Sequence, residues 1–170
     1  MRNLVSVLAL LTISLSPVVT SYQGPLPPPV WTTIGSAGSV DESNAAFYQF
    51  TNAALEYRTG SSSLWSITAR YNVVDIADSG GTVWNHMELG YLDTGAQGSV
   101  TASLFRVDPC TNTTTLIASV TSVDAPTGSC VDVNFAPIVN FQFYVYFVQV
   151  VLSRTSTAVN PRINTIRING

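Results

Sequence analysis

Lysine is missing from this 170-residue chain: all seven cationic side chains are Arg, spread singly, against ten Asp and Glu. Without Lys there is no Ser-Lys nucleophile pair and no phosphate-binding loop of the Gly-rich type that ends in Lys. Without a basic stripe nothing tracks a phosphate backbone, so nucleic acid is not an expected partner, and anionic membrane surfaces are disfavoured for the same reason. Histidine occurs once, as His86, and no Gly-x-Ser-x-Gly elbow surrounds any Ser. A nucleophilic hydrolase would need a base beside such a Ser, so none is expected. Glutamate is limited to Glu42, Glu56 and Glu88. Most Asp fall in turn contexts such as Asp78-Ser79-Gly80, Asp93-Thr94-Gly95 and Asp108-Pro109, where the side chain bonds its own backbone. A pair of carboxylates across a cleft, as glycoside hydrolysis requires, is not apparent. Catalysis therefore ranks last among the functions considered.

Cysteine is limited to Cys110 and Cys130. Two Cys and one His are too few for a soft-metal site. In an exported chain the even count predicts a disulfide, closing a loop for which chain entropy gives roughly 3 kcal/mol. Calcium, an oxygen-seeking ion, is the one cofactor the composition leaves open, with Asp41, Glu42 and either Asp124 or Asp132 as candidate ligands. No other cofactor is expected.

Long apolar runs are confined to the start. Met1-Arg2-Asn3 is followed by the apolar Leu4–Val19, and Val19 and Ser21 suit a cut before Tyr22. Residues 1–21 therefore read as a secretory signal peptide, too short for a membrane span, and predict a secreted protein, extracellular or periplasmic. No other stretch approaches the roughly 20 apolar residues that a bilayer requires. Residues 22–30, with Gly24-Pro25-Leu26-Pro27-Pro28-Pro29, read as an extended leader. One domain is expected over 31–170.

That domain shows period-2 patterning between Gly, Pro, Asn, Asp and Ser turns, with no convincing helix. Strands are expected at Phe47–Phe50, Leu64–Val74, Val83–Leu92, Gly98–Val107, Thr113–Val120, Cys130–Phe135, Phe141–Leu152 and Arg162–Asn169. The stretch Phe141–Leu152 is apolar on both faces, which predicts a central strand. About eight such strands predict an all-β, two-sheet antiparallel sandwich of jelly-roll type.

The two clearest alternations supply the candidate site. On Leu64–Val74, Trp65, Ile67, Ala69, Tyr71 and Val73 point inward, which turns Thr68, Arg70 and Asn72 outward. On Val83–Leu92 the face opposite Met87, Leu89 and Tyr91 carries Trp84, His86 and Glu88. Paired as a hairpin, these strands would collect an indole, an imidazole, a carboxylate, a guanidinium and an amide on one solvent-facing patch. A sugar-binding surface needs that mixture: a flat apolar ring to stack on, ringed by fixed donors and acceptors. The same residues serve equally well as an ordinary solvated face, with Arg70 and Glu88 as a cross-strand ion pair. Asn112-Thr113-Thr114 is also an acceptor sequence for N-glycosylation in a eukaryotic secretory route.

Gly38-Ser39-Val40-Asp41-Glu42, Arg70-Tyr71-Asn72-Val73, Leu92-Asp93-Thr94-Gly95 and Leu152-Ser153-Arg154 resemble segments of small secreted bacterial β-sandwich proteins of unassigned function. That resemblance is diffuse, covers 31–168, implies export and a sandwich, and carries over no functional residue. In architecture the chain is also similar to jelly-roll carbohydrate-binding modules. The expected function is a secreted, non-catalytic binding module for a glycan or cell-surface polymer. The alternative is a structural or assembly subunit of the cell envelope, in which a neighbouring copy exchanges the strand Arg162–Asn169.

Overall fold

A computed structural model describes residues 30–76, 84–136 and 139–170. The expected signal peptide, the leader up to Pro29 and the Asp78–Gly81 turn lie outside the described residues. Among the described residues there are eleven strands: β1 (Trp31–Ile34), β2 (Ser39–Val40), β3 (Tyr48–Thr51), β4 (Ala54–Tyr57), β5 (Ile67–Val73), β6 (His86–Asp93), β7 (Gly98–Val107), β8 (Thr114–Thr121), β9 (Ala125–Asn134), β10 (Val145–Arg154) and β11 (Arg162–Asn169). All eight expected strands are among them. The three others, β1, β2 and β4, span four residues or fewer, too short for an alternation to register.

Two antiparallel sheets result. One runs β3-β4-β11-β6-β9, with β1 also paired to β11; the other runs β2-β5-β10-β7-β8. They face each other as a jelly-roll-like sandwich, as the alternation predicts. From one sheet, Ile67, Ala69, Tyr71 and Val73 of β5, Val100, Ala102 and Leu104 of β7, and Tyr146, Val148, Val150 and Leu152 of β10 are buried. From the other come Met87, Leu89 and Tyr91 of β6 with Ile163, Ile166 and Ile168 of β11. Each large side chain so buried contributes roughly 1.5–3 kcal/mol relative to exposure. The odd spacing from Ile163 to Ile166 is reconciled by an irregularity in the β11–β6 register between Ile163 and Thr165. One extra residue there restores the phase, so all three isoleucines face the core.

β10 sits at the centre of its sheet, as its two apolar faces predict. β11 is also internal, hydrogen-bonded to β6 on one side and to β4 and β1 on the other. Strand exchange through β11 therefore loses its basis, because that strand presents no open edge. The edges belong to β3, β1 and β9 in one sheet and to β2 and β8 in the other.

The expected disulfide is not formed. Cys110 and Cys130 are both free and exposed. Cys110 lies in the turn between β7 and β8, whereas Cys130 is inside β9 of the opposite sheet, paired with Gly90. The sequence spacing admits a bridge, but the topology assigns the two thiols to different sheets.

Candidate functional site

The hairpin expected to bring the candidate residues together does not exist: β5 and β6 belong to different sheets. His86 and Glu88 lie on the outer side of the six-stranded sheet, where each finds a neighbour on β9 or β11. The His86 ring nitrogen is 3.0 Å from Asn134 Oδ1 and 3.9 Å from Asp132, and Glu88 is 3.4 Å from the Arg167 guanidinium. These are cross-strand pairs of a solvated face, worth a few tenths of a kcal/mol each. Arg70 and Asn72 lie on the outer side of the other sheet, and Arg70 pairs with Asp41 of the β2 segment at 2.5 Å.

The two tryptophans exchange their expected places. Trp84 is fully buried and packs edge-on against Phe141, ring centroids 5.7 Å apart, so it supplies no stacking surface. Trp65, expected in the core, is 74 % exposed. Both cases have one cause. The alternation of β5 holds only from Ile67, where pairing with Leu152 begins, and that of β6 only from His86. Trp65 and Trp84 lie just beyond those limits, where inward and outward no longer follow residue parity.

Trp65 stands at one end of the sandwich on a segment whose backbone is tied down at several points. The Tyr57 hydroxyl, beneath it in the core, is 3.0 Å from the Trp65 carbonyl and 3.1 Å from that of Leu152, and shares its one proton between them. The Trp65 N–H donates to Ser63 Oγ, and the Ser63 N–H donates to Ser61 Oγ. Each of these hydroxyl oxygens thus accepts from a backbone N–H two residues on, which leaves its proton free to donate outward. The buried Arg154 holds the same loop from below. Its Nε donates to Ser63 O at 2.9 Å and its Nη2 to Ser61 O at 2.6 Å, while Nη1 reaches Val159 O at 3.2 Å. Its guanidinium also lies 4.0 Å from the centre of the Tyr57 ring. Burial pushes the Tyr57 hydroxyl up to about 12, against the opposing pull of Arg154. The side-chain amide of Gln49 fixes the next stretch, donating to Thr59 Oγ1 and accepting from the Thr59 N–H. Gly60, at φ +78°, takes the left-handed conformation that closes the loop.

Beside Trp65 this loop borders a cleft of about 430 Å³, lined by Phe47, Arg58, Thr59, Ser61, Ser62 and Ser63 among others. Its volume falls within the roughly 300–1,000 Å³ of small-molecule sites. The sequence shows Gly60-Ser61-Ser62-Ser63 only as a turn composition. Its role depends on Arg154, some ninety residues away in the chain, a partnership that no local pattern reveals.

A second cleft, about 420 Å³, lies on the outer side of the five-stranded sheet and is lined by Arg70, Asn72, Val73, Val145, Tyr146 and Phe147. On the far side of β10 from this cleft, Phe147 stacks on Phe105, with centroids 5.1 Å apart and planes 17° apart. Here the expected pair Arg70 and Asn72 does meet an aromatic ring, although a different one from that expected.

Among the described residues no group of three or more His, Cys, Asp and Glu is placed to hold a metal ion. Asp41, the leading calcium candidate, is engaged by Arg70. No helix among the described residues is long and apolar enough to cross a membrane.

No protein-family model matches the sequence, and no curated protein is similar to it. Among solved structures, the CBM36-1 domain of a multidomain xylanase from the hindgut metagenome of Trinervitermes trinervoides superposes with a TM-score of 0.52 at 8% identity, over 84% of this chain and 98% of that one. The module TmCBM61 in complex with beta-1,4-galactotriose gives 0.41 at 9% identity, covering 82% and 87%. The family 11 carbohydrate-binding module from Clostridium thermocellum, in complex with a beta-1,3-1,4-mixed-linked tetrasaccharide, gives 0.42 at 9% identity, covering 88% and 92%. Only the first of these scores reaches the level at which a fold is shared. What this chain has in common with that domain is its two-sheet antiparallel architecture.

Proposed function

We propose that this protein is a secreted, non-catalytic module that binds a glycan, with Trp65 as the stacking surface. The observation that carries the proposal is the indole itself, 74 % exposed yet mounted on a backbone fixed by Tyr57, Ser63 and Arg154. A large exposed ring is a solubility liability, and the usual reason to keep one rigid is that something stacks on it. The free hydroxyl protons of Ser61 and Ser63 and the guanidinium of Arg58 provide the donors that a sugar's hydroxyl oxygens accept from. The likeness in fold to a carbohydrate-binding domain favours a glycan over other polymers. Export follows from the signal-peptide pattern of residues 1–21.

Affinity electrophoresis through gels containing plant or bacterial polysaccharides tests this. The wild-type chain is expected to be retarded by at least one polymer, and Trp65→Ala to migrate as in a plain gel while melting close to the wild-type temperature. Retardation that survives Trp65→Ala would remove the indole from the site.

A further inference from the structure

We infer that the ligand carries negative charge, as a uronate carboxylate or a sulfate ester, and that Arg58 reads it; this rests on the glycan reading and specifies the class of sugar. The inference starts from how the cations are distributed. Arg70 and Arg167 are ion-paired with Asp41 and Glu88. Arg106 stacks on Tyr144 at 4.4 Å and its charge bears on Asp108. Arg154 is buried beneath carbonyl oxygens, and Arg162 is half-buried on β11. Arg58 differs from all of these. It is exposed, makes no ion pair among the described residues, and has as its side-chain contact one long hydrogen bond, 3.4 Å, to the Ala45 carbonyl.

The surroundings of Arg58 are equally one-sided. It lines the Trp65 cleft and a neighbouring one of about 410 Å³, which adds Arg154, Thr157 and Asn160 on the other side of the same loop. Among the described residues no Asp or Glu lines either cleft, in a chain with ten acidic and seven basic residues. Two clefts that share a solvated guanidinium and have no carboxylate in their linings favour an anion. Glu56, nearly buried, stands behind them and is bonded to the Gln49 amide that also holds Thr59. The planar fork of Arg suits a carboxylate or a sulfate, taking two of its oxygens at once. The hydroxyls of Thr59, Ser61 and Ser63 beside it suit the ring hydroxyls of the same sugar unit.

The test compares retention of the full chain on polygalacturonate, on a sulfated galactan and on the neutral galactan, as NaCl is raised. Binding is expected to favour one charged polymer over the neutral one and to weaken with salt. Arg58→Gln is expected to lower affinity for the charged polymer about tenfold and to flatten the salt dependence. Which charged polymer is favoured separates carboxylate from sulfate. Equal binding to charged and neutral galactans, abolished by Trp65→Ala and indifferent to Arg58→Gln, overturns this inference and leaves the glycan reading standing. Salt-sensitive binding to both charged polymers that survives Trp65→Ala is adsorption by charge alone, and it overturns both. Retention on none of the three polymers overturns the inference, while the glycan reading then rests on the wider electrophoresis panel.

Discussion

At the scale of single residues, Trp65 and Trp84 offer a direct contrast in what a large ring does. Trp84, fully buried and edge-on to Phe141, fills core volume. Trp84→Ala should therefore cost about 3–5 kcal/mol, read from urea midpoints. Trp65→Ala should move stability by only about 0.5 kcal/mol, because little contact is lost. Parity along the strands could not assign these two, since each stands one or two residues outside the paired region. Arg70 and Asn72, well inside β5, point outward as the alternation demands.

Tyr57 gives a second test at the same scale. Its hydroxyl is raised from 10 to about 12 by burial, so the folded state favours the neutral phenol. Its contribution is fully present below pH 10, where the unfolded chain is also protonated, and is lost as pH rises from 10 towards 12. The stability difference between wild type and Tyr57→Phe should accordingly be flat below pH 10 and shrink above it. A difference that stays constant to pH 12 would contradict the buried position of that hydroxyl.

At the scale of elements, the site depends on the loop from Arg58 to Trp65 and on the buried groups beneath it. Gly60 lies at φ +78°, and a Cβ at that position would meet no atom within 4 Å. Gly60→Ala therefore has room but suffers the left-handed backbone, at a cost of about 1–2 kcal/mol. Arg154→Lys keeps the charge but loses the fork that reaches Ser61, Ser63 and Val159 together. It should cost about 2 kcal/mol by thermal or urea denaturation and weaken polysaccharide retention, because the loop that carries Trp65 loses its anchor. The regular strands were legible in the sequence because one face of each is buried and the other wet. Short strands such as β2 were not, because two residues carry no period. The serine loop was legible as a turn and opaque as a site, since its anchor lies on β10.

At the scale of the whole molecule, the sandwich follows from alternation and turn chemistry, which act locally. The grouping of side chains into sites follows from strand order, which does not. His86 and Glu88 fall on one sheet and Arg70 and Asn72 on the other, so a patch assembled by sequence proximity is divided by topology. The same topology separates Cys110 from Cys130. It also leaves one tryptophan of three in water: Trp31 is 5 % exposed, Trp84 0 % and Trp65 74 %. The quencher-accessible part of the intrinsic fluorescence therefore reports on the proposed site, while the two buried indoles supply a shielded background. The most direct measurement is acrylamide quenching of that fluorescence, with and without the polysaccharide that retards the protein. The accessible component should be lost on binding, with a blue shift, and should be missing from Trp65→Ala at the outset. Quenching of the accessible component that is unchanged under saturating polysaccharide would place the bound glycan elsewhere and contradict the assignment of Trp65.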